Sequence, residues 1–168
     1  GRLIRSFKRA LGTSLMKEGT LVGDRWLDFP DMATLFVKEI KKRTEREVGQ
    51  ETSSIVVGRP VRFVENDTQK DALAQDQLKS IFEAAGYREV AFQYEPIAGA
   101  FSHEARLGPQ ERLACVMDIG GGTSYFTVIK LSSRYVNKPD RTEDILANSG
   151  ARIGGNDFDR NFSLSSFM

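Results

Sequence analysis

The segment Met117-Asp118-Ile119-Gly120-Gly121-Gly122-Thr123-Ser124-Tyr125 holds the residue types most readily tied to chemistry. The apolar run Leu113 to Met117 precedes the glycines, and the β-branched run Phe126 to Leu131 follows them. That pattern predicts two strands joined as a hairpin. A two-residue hairpin turn needs positive φ at one or two positions, so three glycines exceed what the turn requires. Each surplus glycine costs roughly 0.5–1 kcal/mol relative to alanine. A ligand approaching the bare backbone is one physical reason to retain them, and successive amides in a tight bend form an anion-binding concavity. Thr123 adds a hydroxyl, and Asp118 puts a carboxylate at the rim for water or a metal's water shell. The stretch reads as a phosphate-holding hairpin. A glycine-rich turn beside a solvated aspartate is its alternative reading.

A second glycine pair, Gly154-Gly155, stands before a helix signalled by Asn156, Asp157, Phe158 and Phe162. A helix N-terminus preceded by glycines is another ready anion site. Other reactive residue types are scarce. His103 is the only histidine and has no partner ligands at metal-binding spacing. Cys115 is the only cysteine. Its apolar neighbours predict burial, which argues against a catalytic thiol, and a reducing cytoplasm is the simplest fit to a chain without a disulfide framework.

Several elements must position these residues. Leu3 to Leu11 predicts a short basic helical turn ended by Gly12. Lys17 to Pro30 predicts short strands or loops. A first helix is expected from Asp31, as its cap, to Val48, with Met32, Leu35, Phe36, Ile40 and Val48 on its inner face and Gly49 as its stop. Ser53 to Gly58 reads as a buried strand. A second helix opens at Asp67-Thr68, where Thr68 and Asp71 resemble a capping box, and ends at Gly86. Leu78, Ile81, Phe82 and Ala85 line its inner side. Val90, Phe92 and Tyr94 alternate as a strand. Pro96 suits the start of a third helix, Ile97 to Leu107. After the hairpin, Asp144 to Asn148 reads as another strand. The order predicts α/β packing, with a division near Gly108–Glu111.

The chain has 168 residues, enough for one domain with a sizeable core. Lys and Arg number 24 against 23 acids, a net charge of +1. That balance gives no electrostatic reason to expect nucleic acid or an anionic membrane. No apolar run nears the ~18 residues of a spanning helix. Gly1 is not a natural start, and the helical pattern still runs at Met168, so a piece of a longer protein is expected.

Taken together, Phe7-Lys8-Arg9-Ala-Leu-Gly12, Gly58-Arg-Pro60, Asn66-Asp-Thr-Gln-Lys70, Tyr94-Glu95-Pro96-Ile-Ala-Gly-Ala100, Asp118-Ile-Gly-Gly-Gly-Thr123 and Ile153-Gly-Gly-Asn-Asp-Phe-Asp159 form an ordered set. In order and spacing the set resembles the ATPase domain of the seventy-kilodalton heat-shock chaperone family, the DnaK type, and is most similar to its divergent YegD-like branch. The resemblance implies an α/β, actin-like (ribonuclease H-like) ATPase fold with mixed sheets and packed helices. Residues 1–110 would be part of lobe I and 111–168 the opening of a truncated lobe II.

It also implies roles. Lys8 would stabilise charge on the transferring γ-phosphoryl group, consistent with the positioning and electrostatics of phosphoryl transfer. Asp118 and Glu95 would contact Mg2+ through water. Gly120, Gly121, Gly122 and Thr123 would wrap the phosphates of ATP or ADP, and Gly154 and Gly155 would lie near the nucleotide. Catalytic roles thus fall to Lys8, Glu95, Asp118 and Thr123. Pro60 and Lys70 match positions linked to interdomain signalling. Lys70 replaces an arginine and loses its planar fork. Tyr125 replaces a second aspartate, and Asn156 replaces a glutamate.

The expected function is a cytoplasmic, stress-response chaperone ATPase that couples nucleotide state to conformational change, with client polypeptides or co-chaperones as partners. A segment alone is expected to bind nucleotide weakly or not at all, and to self-associate through an uncovered sheet. Tyr125 motivates a second expectation, a degenerate scaffold or binding module without hydrolysis. A sugar or acid kinase of the same superfamily is a third.

Overall fold

The computed structural model describes residues 7–64, 66–151 and 153–166. Among them the chain is mixed α/β, with four α-helices and three small sheets. It forms two compact units, residues 10–93 and residues 1–9 with 94–168. The expected lobe boundary near Gly108–Glu111 thus falls inside one unit, because the helix before it packs on the strands after it.

In the unit 10–93, β1 (Gly19–Val22) and β2 (Arg25–Asp28) form an antiparallel hairpin. Helix α1 follows directly as Phe29–Val48. Its cap is Asp28 rather than Asp31. The two carboxylates form a reciprocal capping box, and Pro30 occupies the first turn, where a missing N–H costs nothing. Gly49 ends the helix with φ 76°, a left-handed value that favours glycine. The buried face is Ala33, Val37 and Lys41, whereas Leu35, Phe36, Ile40 and Val48 are exposed. The larger side chains drew the expected face one register away. Lys41 is accommodated by Glu45 and the face of Tyr87.

Strands β3 (Ser54–Arg59) and β4 (Glu89–Tyr94) pair around α2 (Thr68–Ala84). Ala74, Leu78 and Ile81 are the buried residues of α2. Asp67 caps this helix by accepting from the Lys70 N–H at 2.9 Å. Asp71 does not complete a capping box. Its carboxylate accepts from the Phe63 N–H and pairs with Arg59 at 3.0 Å, fastening the turn after β3.

The other described unit starts with a single 3-10 turn, Phe7–Ala10, the last residue of which belongs to the first unit. Residues 3–6 of the expected basic turn lie outside the described residues. Helix α3 (Glu95–Glu104) carries Pro96 in its first turn, as expected. Strands β5 (Arg112–Ile119), β6 (Ser124–Leu131) and β7 (Ile145–Ala151) form an antiparallel sheet in that order. Ile97 and Ala100 of α3 bury against Ile129 and Leu131, with Ala114, Val116 and Ile145 around them. Residues alternate between the faces of a strand, so the opposite face carries Leu113, Cys115, Met117 and Ile119. Leu113, Met117 and Ile119 are 66%, 65% and 63% exposed. Cys115 is exposed with them, which corrects the expectation of burial. Both sides of a strand can be apolar without both being covered. Helix α4 (Gly155–Ser166) follows β7.

Candidate functional site

The glycine bend sits between β5 and β6, which pair in full register from Arg112↔Leu131 to Ile119↔Ser124. The bend is closed by the Gly120 N–H donating to the Thr123 carbonyl at 2.9 Å. Gly120 and Gly121 are not in the left-handed region, so the turn does not demand glycine there. A Cβ on Gly120 would meet nothing nearer than 3.4 Å, and one on Gly121 nothing nearer than 3.6 Å. The chain's own packing therefore tolerates side chains at both positions.

The first turn of α4 approaches this bend. The first N–H groups of a helix have no partner inside the helix. Here the Gly155 N–H donates to the Gly120 carbonyl at 2.9 Å, and the Asn156 N–H donates to the Gly121 carbonyl at 2.8 Å. The Gly154 N–H donates to Asp157 Oδ2 at 3.0 Å. The expected anion site at Gly154-Gly155 is thus revised. Those amides are engaged with the chain itself, and a Cβ on Gly154 would lie 2.5–2.7 Å from the backbone of Gly120, Gly121 and Gly122. Gly154 is glycine because two backbones meet there.

This contact fixes the direction of the bend's amides. In a trans peptide the carbonyl and the following N–H point in opposite directions, and no cis peptide occurs among the described residues. With the Gly120 and Gly121 carbonyls turned to α4, the Gly121 and Gly122 N–H groups point away from it. Among the described residues, the N–H groups of Gly121, Gly122 and Thr123 donate no hydrogen bond. Two successive amides aimed to one side form the concavity that holds an anionic oxygen.

The remaining site residues lie in the same unit. Asp118, one residue before the last of β5, is half-buried, and its carboxylate has no hydrogen-bond or ion-pair partner among the described residues. It pairs across the ladder with Tyr125, so the two side chains share a face. Tyr125 in turn opposes Gly150 on β7, and a Cβ on Gly150 would run into its ring. Lys8 pairs with Glu95 at the start of α3. The neighbouring Arg9 reaches Asp157 Oδ2 at 3.5 Å. One carboxylate thus contacts both the segment bearing Lys8 and the loop packed on the glycine bend. The roles of Arg9 and Asp157 were not foreseen. Asp157 was legible as half of a capping box, three residues after the capping Gly154.

Among the described residues no group of three His, Cys, Asp or Glu side chains could hold a metal directly. His103 is exposed. No helix among the described residues is long and apolar enough to cross a membrane. No protein-family model matches the chain.

Proposed function

We propose that the chain is part of the nucleotide-binding domain of a heat-shock-70-like, actin-like ATPase, and that the Gly120–Thr123 bend grips the phosphates of ATP and ADP. The observation that carries this reading is the pair of Gly121 and Gly122 amides, aimed to one side and uncommitted among the described residues. Gly120 and Gly121 are glycines the chain's own packing does not require. Hydrogen bonds to a charged group contribute roughly 1.5–3 kcal/mol each, so two such amides offset the glycine cost.

When bound, the nucleotide supplies the transferable phosphoryl group and Mg2+ neutralises part of its charge. The protein's residues hold and polarise. Lys8, paired with Glu95 here, would turn to a phosphate oxygen and stabilise charge as it develops. Asp118 would accept a hydrogen bond from the attacking water or from a water on Mg2+. Glu95 would then be available to order the water shell of Mg2+. Thr123 adds its amide and hydroxyl to the phosphate cradle. The cycle is read as cytoplasmic, serving client polypeptides or co-chaperones. Exposed Leu113, Met117 and Ile119 support self-association of the chain, with light scattering of a strict monomer as the contrary result.

The test is titration of the 15N-labelled chain with Mg-ATP. Shifts concentrated at the Gly121, Gly122 and Thr123 amides are expected at millimolar nucleotide. Unchanged resonances there would refute the reading. A second reading, a nucleotide-binding module without hydrolysis, is favoured by Tyr125, whose ring covers Gly150 in the sheet. Single-turnover hydrolysis in a protein containing the whole domain separates the two. Lys8→Ala abolishes turnover under the first and changes nothing under the second.

A further inference from the structure

We infer that the first turn of α4 is the positioning element of the phosphate bend, with Asp157 as its positioning residue. The inference rests on the nucleotide reading above. An isolated glycine bend has many conformations, and an anion that must order it loses affinity to that ordering. Here the ordering is done beforehand. The Gly155 and Asn156 N–H groups hold two consecutive carbonyls, and in trans peptides that turns the Gly121 and Gly122 amides away from α4. The contact is close because Gly154 has no side chain.

The same turn reaches the cation. Asp157 Oδ2 accepts from the Gly154 N–H, which fixes the start of α4, and it also faces the Arg9 guanidinium. Arg9 adjoins Lys8, whose ammonium lies at Glu95. One helical turn thus sets the amides through their carbonyls and the lysine through its neighbour. It touches no phosphate itself, since its leading amides are engaged. Moving α4 would therefore disorder the bend and shift Lys8 together, which makes this turn the route by which nucleotide state and α4 position are coupled.

The experiment compares the full chain with Gly155→Pro and Asp157→Asn, using Asp159→Asn as the charge control. Proline suits the first helical position, so Gly155→Pro is compatible with the start of α4; it deletes the N–H that holds the Gly120 carbonyl and puts its ring Cδ in that oxygen's place, so the contact cannot re-form. Without ligand, the Gly121 and Gly122 amide resonances should move in Gly155→Pro, while those of α3 remain in place. With Mg-ATP, half-saturation at these amides should need about tenfold more nucleotide in Gly155→Pro, as expected for lost preorganisation. Asp157→Asn keeps an acceptor for Gly154 but loses the charge facing Arg9. It should leave the ligand-free amide resonances in place and weaken Mg-ATP binding by a smaller factor, whereas Asp159→Asn should match wild type. If wild-type amides ignore Mg-ATP, the nucleotide reading falls and this inference with it. If wild type responds and both Gly155→Pro and Asp157→Asn titrate identically to it, the inference alone is overturned.

Discussion

Helix α3 begins with one glutamate and ends with another, and each has a basic partner. At the far end, Glu104 is fully buried and both its oxygens receive the Arg141 guanidinium, at 2.8 and 2.9 Å. Glu104 Oε1 also accepts from the Ser132 N–H at 3.1 Å. Arg141 donates further to Asp144 at 2.5 Å and to the Lys130 carbonyl at 3.2 Å. At the near end, Glu95 meets Lys8 in a pair whose lysine side chain is 49% exposed. The same chemistry serves two purposes. In the dry cluster each charge depends on the others, and it fastens the 132–144 connection to α3. In the wet pair either partner can exchange the other for water at small cost, which is what the proposed phosphate role of Lys8 requires.

Arg141→Ala is the severest test of that contrast. It leaves the fully buried Glu104 without a cationic partner and Asp144 with Lys138 alone, and a loss of about 3–5 kcal/mol is expected in urea unfolding. A loss near that of a surface substitution would break the comparison. Acidification gives the next effect. Burial would raise the Asp144 carboxyl, but the hydrogen bonds from Lys138 and Arg141 outweigh it and hold the group below the usual carboxylate range. A depressed native value contributes stability above the unfolded pKa, and that contribution disappears as pH falls through the native one. Stability of the wild type should therefore decline in acid more steeply than that of Asp144→Asn, measured by unfolding across a pH series.

The wet end should hardly register in stability. Lys8→Ala is expected to cost less than about 1 kcal/mol, and a Lys8/Glu95 double-mutant cycle should give a coupling that shrinks with added salt. A coupling insensitive to salt would mean the pair is more structural than its exposure indicates. Smallest of all is Gly121→Ala, where stability should stay within about 0.5 kcal/mol of wild type. Response of the bend to Mg-ATP should nonetheless fall sharply. An alanine there that binds as wild type does would leave the glycine unexplained.

Much of the secondary structure was legible along the chain. Gly49 stopped α1, Pro96 opened α3, and the apolar runs around Gly120–Gly122 became β5 and β6. Local signals suffice when a cap, a proline or a strand pattern acts within a few residues. Faces were less legible. Leu35, Phe36 and Ile40 were expected inside α1, yet the smaller Ala33 and Val37 are buried. Cys115 sits on a sheet face with nothing over it among the described residues. Apolar character records what could be covered, whereas burial depends on which neighbour arrives.

The residues of the candidate site show the same division. The spacing around Asp118 already held the hairpin, its glycines and its carboxylate, because a bend and its two strands are local in sequence. The reason for each glycine was not held there. Gly154 and Gly121 look alike as letters, but a methyl group on Gly154 collides with backbone some thirty residues away, while one on Gly121 meets only ordinary contacts. Nor could spacing foretell that α4 would take the carbonyls of the bend and leave its amides pointing outward, or that Arg141 would bury itself against Glu104. Those outcomes depend on which distant peptide groups and charges come within hydrogen-bond reach, a condition that exists only once the sheet and its helices have packed.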